Sequence, residues 1–323
     1  MRIAFLGSGA FGLPSLLALA TSHHEILHVI SQPDRPAGRG KTLTPTPVST
    51  WALARGLPLT RTENANASDV LALLRALQPE CLVVIAFGQK LSDELLTIAP
   101  RGGINLHSSL LPRYRGAAPI NWAILNNDPL AGVSVITITR IMDAGDILAT
   151  ASTPVEPSET AGELHDRLAD LGAPLLPRVL DALAAGTETR LKQDPTLATR
   201  APKLHRDIAW VDWTRPAAEV SARIRGLSPW PGVQVELLTP DGKVRTQATI
   251  LKCLAHDGPA HSPEKCGSVL PDRTIACGTG SLAILTIQPQ GKKPMDLPSF
   301  ANGYSLRESL RFRSVVTPPP QAL

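Results

Sequence analysis

A chain of 323 residues with 32 basic and 28 acidic side chains carries a formal net charge of +4, and 43% of its residues are hydrophobic. Single cores stop growing near ~250 to 300 residues, so this length implies two domains, and the apolar share excludes a disordered or fibrous chain. Its 30 prolines, roughly twice the average share of about 5%, predict many fixed turns rather than long helices.

Residues 3–20 follow Arg2 and superficially resemble a secretory signal, but Gly7, Gly9, Gly12 and Pro14 interrupt them. The segment reads as a strand, a glycine turn and a helix. Aliphatic runs at 3–6, 26–31, 81–87, 103–106 and 133–138 predict strands. Helix-compatible spacing at 13–22, 47–55, 68–77 and 119–126 alternates with them, the signature of crossover units around a mostly parallel sheet. Ser68 is the expected N-cap of its helix, and the apolar run 81–87 suits a central strand buried on both faces. Thr160 and Glu163 form a capping box for a last helix that Pro174 and Pro177 should interrupt.

Residues 190–207 lose this pattern and read as a linker, so residues 1–189 form a Rossmann-like α/β domain and 208–323 a second domain. In the latter, a helix over 216–227 precedes strands at 233–238, 244–254 and 281–287 and a turn at 239–242, which predicts a small OB-like β-barrel. Residues 317–323 read as a frayed tail. Dividing the charge at this boundary gives 14 basic and 17 acidic residues before it and 18 and 11 after it, a mildly acidic α/β domain joined to a basic β domain. The second is suited to a polyanion. Cys81, Cys253, Cys266 and Cys277 have no CxxC spacing, which predicts neither a zinc site nor disulfides and fits a reducing cytoplasm. No run approaches the ~18 to 20 apolar residues needed to span a bilayer. His23, His24 and His28 have no metal-ligand spacing and read as surface residues.

Two constellations could carry chemistry. Gly7-Ser8-Gly9-Ala10-Phe11-Gly12 matches the dinucleotide fingerprint, with Asp34 near the end of the second strand, so a nicotinamide oxidoreductase is one alternative. The other reading of these glycines is a tight strand-to-helix turn. The second constellation is more specific: Asn105 and His107, two apart on a strand, project to one face at the carboxyl end where open α/β sheets place ligands. A carboxamide beside an imidazole suits oxyanion stabilisation and proton movement, and Asp143 after the next strand could return to them.

The segment Asn105-Leu106-His107-Ser108-Ser109-Leu110-Leu111-Pro112, with Arg113-Tyr114-Arg115-Gly116 and the later Asp143, is similar to the core of the folate-dependent formyltransferases. Further matches at 11–16, 32–41, 201–203, 229–231 and 290–294 point within that family to the branch whose acceptor is initiator methionyl-tRNA. The resemblance implies that Asn105, His107 and Asp143 are catalytic and that the donor is 10-formyltetrahydrofolate, a co-substrate, with no metal. It further implies that Ser109, Leu110, Leu111, Pro112, Ile85, Phe87 and Gly88 line the folate pocket and that Arg35, Arg39 and Lys41, on a flexible loop at 33–44, grip the tRNA. A cytoplasmic monomer free of membranes is expected. The alternatives are a formyltransferase acting on a nucleotide or nucleotide-sugar amine, the nicotinamide oxidoreductase, and a non-catalytic RNA-binding module.

Overall fold

The computed structural model describes residues 1–37, 40, 42–317 and 319. In chain order the first part contains β1 (Arg2–Gly7), α1 (Leu13–Ala20), β2 (Glu25–Ser31), β3 (Arg35–Ala37), β4 (Thr42–Thr44), α2 (Pro47–Ala54), β5 (Leu59–Arg61) and α3 (Ser68–Leu77). It continues through β6 (Cys81–Ile85), α4 (Asp93–Leu96), β7 (Gly103–His107), β8 (Arg115–Gly116), α5 (Pro119–Leu125), β9 (Leu130–Thr137), β10 (Ile147–Pro154), α6 (Ala161–Gly172) and α7 (Leu175–Ala185). The chain divides into two compact units, the first comprising Met1–Gly116, Gly132–Thr153 and His165–Arg200, the second Ala117–Ala131, Pro154–Leu164 and Ala201–Leu323.

The first unit is built on one sheet of strand order β10-β9-β7-β6-β1-β2-β5. From β5 to β7 neighbouring strands are parallel, and β9 returns antiparallel to β7. All five residues of β6 are buried, as a central strand covered on both faces requires. On one face Ala4, Leu6, Leu82 and Val84 pack with Val70, Leu71 and Leu74 of α3 and with Leu95 and Ala99. On the other, α6 lies so close to β7 that a Cβ on Gly172 would stand 2.7 Å from Leu106 Cδ2.

Thr160 and Glu163 form the expected box: the Thr160 N–H donates to Glu163 Oε2 at 2.9 Å and the Glu163 N–H to Thr160 Oγ1 at 3.2 Å. Ser68 is not a cap. Extended Ala67 precedes the helix without a side-chain bond, and Asp69 in the first turn supplies the charge complementary to the helix dipole.

Two further expectations are corrected. His24 and His28 are buried, because their rings have partners: His24 bonds the N-terminal ammonium and the Pro177 carbonyl, and His28 bonds Thr60 Oγ1 at 2.8 Å. Residues 190–200 are not a loose linker. Leu191 exchanges two backbone bonds with Ile147, and the Thr199 carbonyl and Oγ1 accept the N–H groups of Arg115 and Tyr114, so this strap belongs to the first unit.

Burial lowers the pKa of His24, with a contribution from the N-terminal ammonium, and burial lowers that of His28. A base depressed in the folded state binds fewer protons there than when unfolded. The associated stability is present at neutral pH and is lost as pH falls through the unfolded value of about 6.5 toward the folded one. The melting temperature is therefore expected to drop between about pH 7 and pH 5. A His24→Gln/His28→Gln variant should show a shallower drop; an unchanged slope would contradict the assignment.

The second unit contains α5, the C-terminal end of β11 (Arg200–Ala201), α8 (Ala217–Gly226), β12 (Val233–Leu238), β13 (Val244–Ala260), β14 (Ile275–Ala276), β15 (Thr279–Pro289), β16 (Met295–Asp296), α9 (Leu297–Tyr304) and β17 (Arg311–Ser314). The strand order is β14-β15-β13-β12-β17, with β16 on β15. Residues 267–269 join its two edges: Phe312 N–H donates to Gly267 O and Val269 N–H to Leu310 O on one side, and Ala276 N–H to Ser268 O on the other. Gly267 has φ +88°, and a Cβ there would stand 2.6 Å from the Phe312 carbonyl, so only glycine fits the seam. The result is a small curled antiparallel barrel, filled by Val220, Ile224 and Leu227 together with Trp213, Phe300 and Phe312. The Arg223 guanidinium stacks 3.2 Å from the centre of the Trp210 ring and donates to the Trp210 and Ile208 carbonyls. Burial lowers it to about 10, which leaves it charged at neutral pH.

All four cysteines are free and buried. Burial pushes Cys81, Cys253 and Cys277 up to about 12, and Cys266 in the same direction. The thiolate is the reactive form. An aromatic disulfide reagent at about pH 8 should thus find no thiol in the native protein and all four after denaturation; rapid native labelling would contradict this burial.

Candidate active site

Asn105 and His107 lie on the same face at the carboxyl end of β7, with Asn105 opposite Val84 of β6 and Ile136 of β9, and His107 opposite Ser134. His107 is 6% exposed. Its Nε2–H donates to the Tyr114 carbonyl at 2.9 Å, and its Nδ1 stands 3.6 Å from Asp143 Oδ1, beyond ordinary hydrogen-bond length. The other Asp143 oxygen accepts the Gly116 N–H at 2.9 Å. Sequence reasoning placed these three side chains together; the structure does so and adds the two main-chain groups that hold them.

Tyr114 and Asp143 have φ values of +62° and +54°. Non-glycine residues in the left-handed region cost on the order of 1 kcal/mol or more, and here both bends turn groups from two loops onto one imidazole. The Asn105 carboxamide is half-buried and, among the described residues, has no protein hydrogen-bond partner. Its N–H groups are available to a ligand.

The turn after β7 is tied to β9 by buried Ser134, a residue that sequence reasoning missed. The Ser134 hydroxyl donates to the Ser109 carbonyl at 2.8 Å and accepts the Leu111 N–H at 3.1 Å, and Ser109 Oγ donates to the Arg113 carbonyl. This brings Leu111 against Ile136 and Ile147, an apolar patch on the Asn105 face. Leu110 covers Gly132, where a Cβ would stand 2.5 Å from Leu110 Cδ2, and Pro112 is half-buried.

The other proposed pocket residues are placed differently. Ile85 pairs with Gly7 and lies one residue out of phase with Val84, so its side chain is on the face opposite Asn105, beneath the glycine turn. The Phe87 ring is 2% exposed within the core packed on α3, and the Phe87 carbonyl accepts the Gln32 amide at 2.7 Å. Gly88, at φ +78°, leaves no room for a Cβ beside Gln32. The main chain of this turn and the exposed Ala86 are left to meet a ligand.

The glycines of the first loop serve packing. The Gly9 N–H donates to the Ala86 carbonyl, a Cβ on Gly7 would stand 2.9 Å from the Ile85 carbonyl, and Ser8 Oγ accepts the Gln32 N–H. The acid of the fingerprint is also engaged, since Asp34 pairs with Arg61 at 3.2 Å. The backbone donor that a dinucleotide would need is occupied by the Ala86 carbonyl, and one oxygen of the acid is held by Arg61, while its Oδ1 is buried without a hydrogen-bond partner among the described residues.

The loop expected at 33–44 contains a short antiparallel pair, β3 with β4, in register Arg35↔Thr44. Arg35 is exposed and pairs with Glu63 at 3.3 Å; Arg39 and Lys41 lie outside the described residues, as do Pro318 and residues 320–323 of the expected tail.

The formyl transferase family profile matches residues 1–180, and that of the formyl transferase C-terminal domain matches residues 203–305. The chain belongs to the formyl transferase family. Among curated relatives of this formyl transferase, the methionyl-tRNA formyltransferase of Moorella thermoacetica is 42% identical over 306 residues, covering 95% of this chain and 97% of that one. The methionyl-tRNA formyltransferase of Akkermansia muciniphila is 39% identical over 319 residues, covering 97% and 99%. Among solved structures, the sugar 3N-formyl transferase WlaRD, crystallised in the presence of dTDP and 5-N-formyl-THF, shares the fold with a TM-score of 0.63 at 16% identity, over 91% of this chain and 99% of that one. No helix among the described residues is long and apolar enough to cross a membrane.

Proposed function

We propose that this formyl transferase moves the formyl group of 10-formyltetrahydrofolate to the free α-amine of initiator methionyl-tRNA, giving N-formylmethionyl-tRNA for translation initiation in the cytoplasm. The observation that carries the chemistry is the convergence of Asn105, His107 and Asp143 at the open end of β7. The near full-length similarity to methionyl-tRNA formyltransferases supports the choice of acceptor.

The amine nitrogen attacks the formyl carbon, and the carbonyl electron pair moves onto oxygen. The Asn105 carboxamide donates to that oxyanion. His107, as the imidazolium, adds a second donor from its Nδ1–H, because its Nε2–H is committed to the Tyr114 carbonyl and a neutral ring would carry no hydrogen on Nδ1. Asp143 takes the proton lost by the attacking amine and returns it to N10 of the folate as the C–N10 bond breaks, so no covalent enzyme intermediate forms. Leu110, Leu111 and Pro112, with the Ser109 turn and the Phe87–Gly88 main chain, form the floor for the pterin. Arg35, Arg39 and Lys41 contact the acceptor end, and the basic second unit adds phosphate contacts, including the exposed Lys292 and Lys293 turn.

Offering the enzyme methionyl-tRNA, a nucleotide-sugar amine and a glycinamide nucleotide with one folate donor tests the acceptor. Methionyl-tRNA alone should be formylated at a substantial rate; a preference for either small amine would overturn the assignment. Removing the Arg35 cation is expected to raise KM for tRNA several-fold with kcat kept and to reduce the salt dependence of binding by about one phosphate contact. Unchanged tRNA kinetics in Arg35→Ala would remove that residue from the interface.

A further inference from the structure

The side chain of Gln193, in the strap at residues 190–200, connects the two loops that hold His107. Its Nε2 donates to the Asp143 and Gly145 carbonyls, each at 2.8 Å, and its Oε1 accepts Arg115 Nε and Nη2 at 3.1 and 2.6 Å. A primary amide offers two donor hydrogens and two acceptor lone pairs, so these four bonds use its whole capacity. The orientation of the amide is unambiguous, since a guanidinium can only donate and a carbonyl can only accept. Among the described residues, no other group bonds the Asp143 or Gly145 carbonyl.

Arg115 lies between Tyr114, whose carbonyl fixes His107, and Gly116, whose N–H fixes the Asp143 carboxylate. Asp143 is itself one of the two carbonyls that Gln193 holds. We propose that Gln193 is a positioning residue for formyl transfer. It sets the Asp143 loop against the 114–116 segment, so that carboxylate and imidazole stay in register while both loops bend through left-handed residues. This inference rests on the formyl-transfer reading, but a folding role alone predicts different results. A strap serving only as an anchor has other attachments, the Leu191 pairing with Ile147 and the Thr199 bonds to Tyr114 and Arg115.

Two substitutions separate positioning from anchoring. Gln193→Ala removes all four bonds. Gln193→Glu keeps and strengthens the Arg115 side but turns an acceptor oxygen onto two carbonyl oxygens. Misplacement by about 1 Å can cost on the order of 10²-fold in rate. Both variants should therefore lose about 10- to 100-fold in kcat, with KM for folate and for methionyl-tRNA within about twofold and with folding intact by circular dichroism.

Asp194→Ala, which removes only local bonds to Thr196, serves as the strap control and should retain wild-type turnover. Near wild-type kcat in Gln193→Glu would reduce the residue to an anchor of Arg115 and overturn the proposal, as would a loss confined to KM. A melting temperature lowered equally in Gln193→Ala and Asp194→Ala, with equal losses of activity, would also overturn it. If the wild-type enzyme formylates no methionyl-tRNA, the functional reading fails first; a wild-type enzyme that works beside a fully active Gln193→Ala isolates the failure to this inference.

Discussion

His107→Ala is expected to lower kcat by about 10³-fold or more while leaving the affinity for methionyl-tRNA within a few-fold of wild type. One preorganised oxyanion donor contributes about 10² to 10³ in rate, and the loss of the ring also disturbs Asp143, the group that carries the proton. The ring is buried and bonded to the Tyr114 carbonyl, so its removal deletes that bond and leaves Asp143 without its neighbouring imidazole. Asn105→Ala, whose carboxamide has no hydrogen-bond partner among the described residues, should lose about 10²-fold with little change in melting temperature. Single-turnover formyl transfer at saturating folate measures the chemical step, and filter binding measures tRNA affinity. Substantial turnover in His107→Ala would exclude the imidazole from the reaction.

Gly145→Ala should be nearly as damaging although the glycine carries no functional group. A Cβ at this position would stand 1.7 Å from the Thr137 carbonyl oxygen and 2.7 Å from its carbon, both backbone atoms of β9 that cannot yield. The loop is closed there by two bonds, Thr137 N–H to the Asp146 carbonyl and Asp146 N–H to Thr137 Oγ1, each 2.9 Å. Relief of the overlap must open this closure and carry Asp143 away from His107. The expected loss is on the order of 10²-fold in kcat, since reacting groups displaced by about 1 Å lose about that factor. Gly186→Ala provides the comparison: no atom lies within 4 Å of its Cβ position, and its left-handed φ of +67° makes any cost one of stability. Equal activity in the two variants would refute the loop-closure argument.

Much of the site was legible because its residues obey strand periodicity. Asn105 and His107 share a face by their spacing alone, and Asp143 follows the adjoining strand. The same periodicity was hidden at Ile85, because a strand buried on both faces is apolar at every position and does not reveal which side chains face the ligand. Core placement of the Phe87 ring was hidden because the strand ends at Ile85 and the chain turns at Ala86, with φ +46°, which breaks the alternation expected through residue 87. Ser134 and Gln193 left no trace because their roles lie in side-chain bonds to carbonyls distant in sequence, within a strand and a strap whose composition is unremarkable. The seam of the barrel at 267–269 is too short for a pattern, and β17 depends on pairing with β12 rather than on local propensity. His24 and His28 were misplaced because partners as remote as the N-terminal ammonium and Thr60 allow an imidazole to be buried.

Transfer of labelled formyl from 10-formyltetrahydrofolate to methionyl-tRNA, followed in one turnover with wild type and His107→Ala, tests the central claim most directly. The account predicts label appearing on the methionine α-amine as fast as it leaves the folate, none retained on the protein, and transfer slowed by about 10³-fold in the variant. Label accumulating on the protein, or wild-type enzyme leaving the amine unformylated beside an active donor, would contradict it.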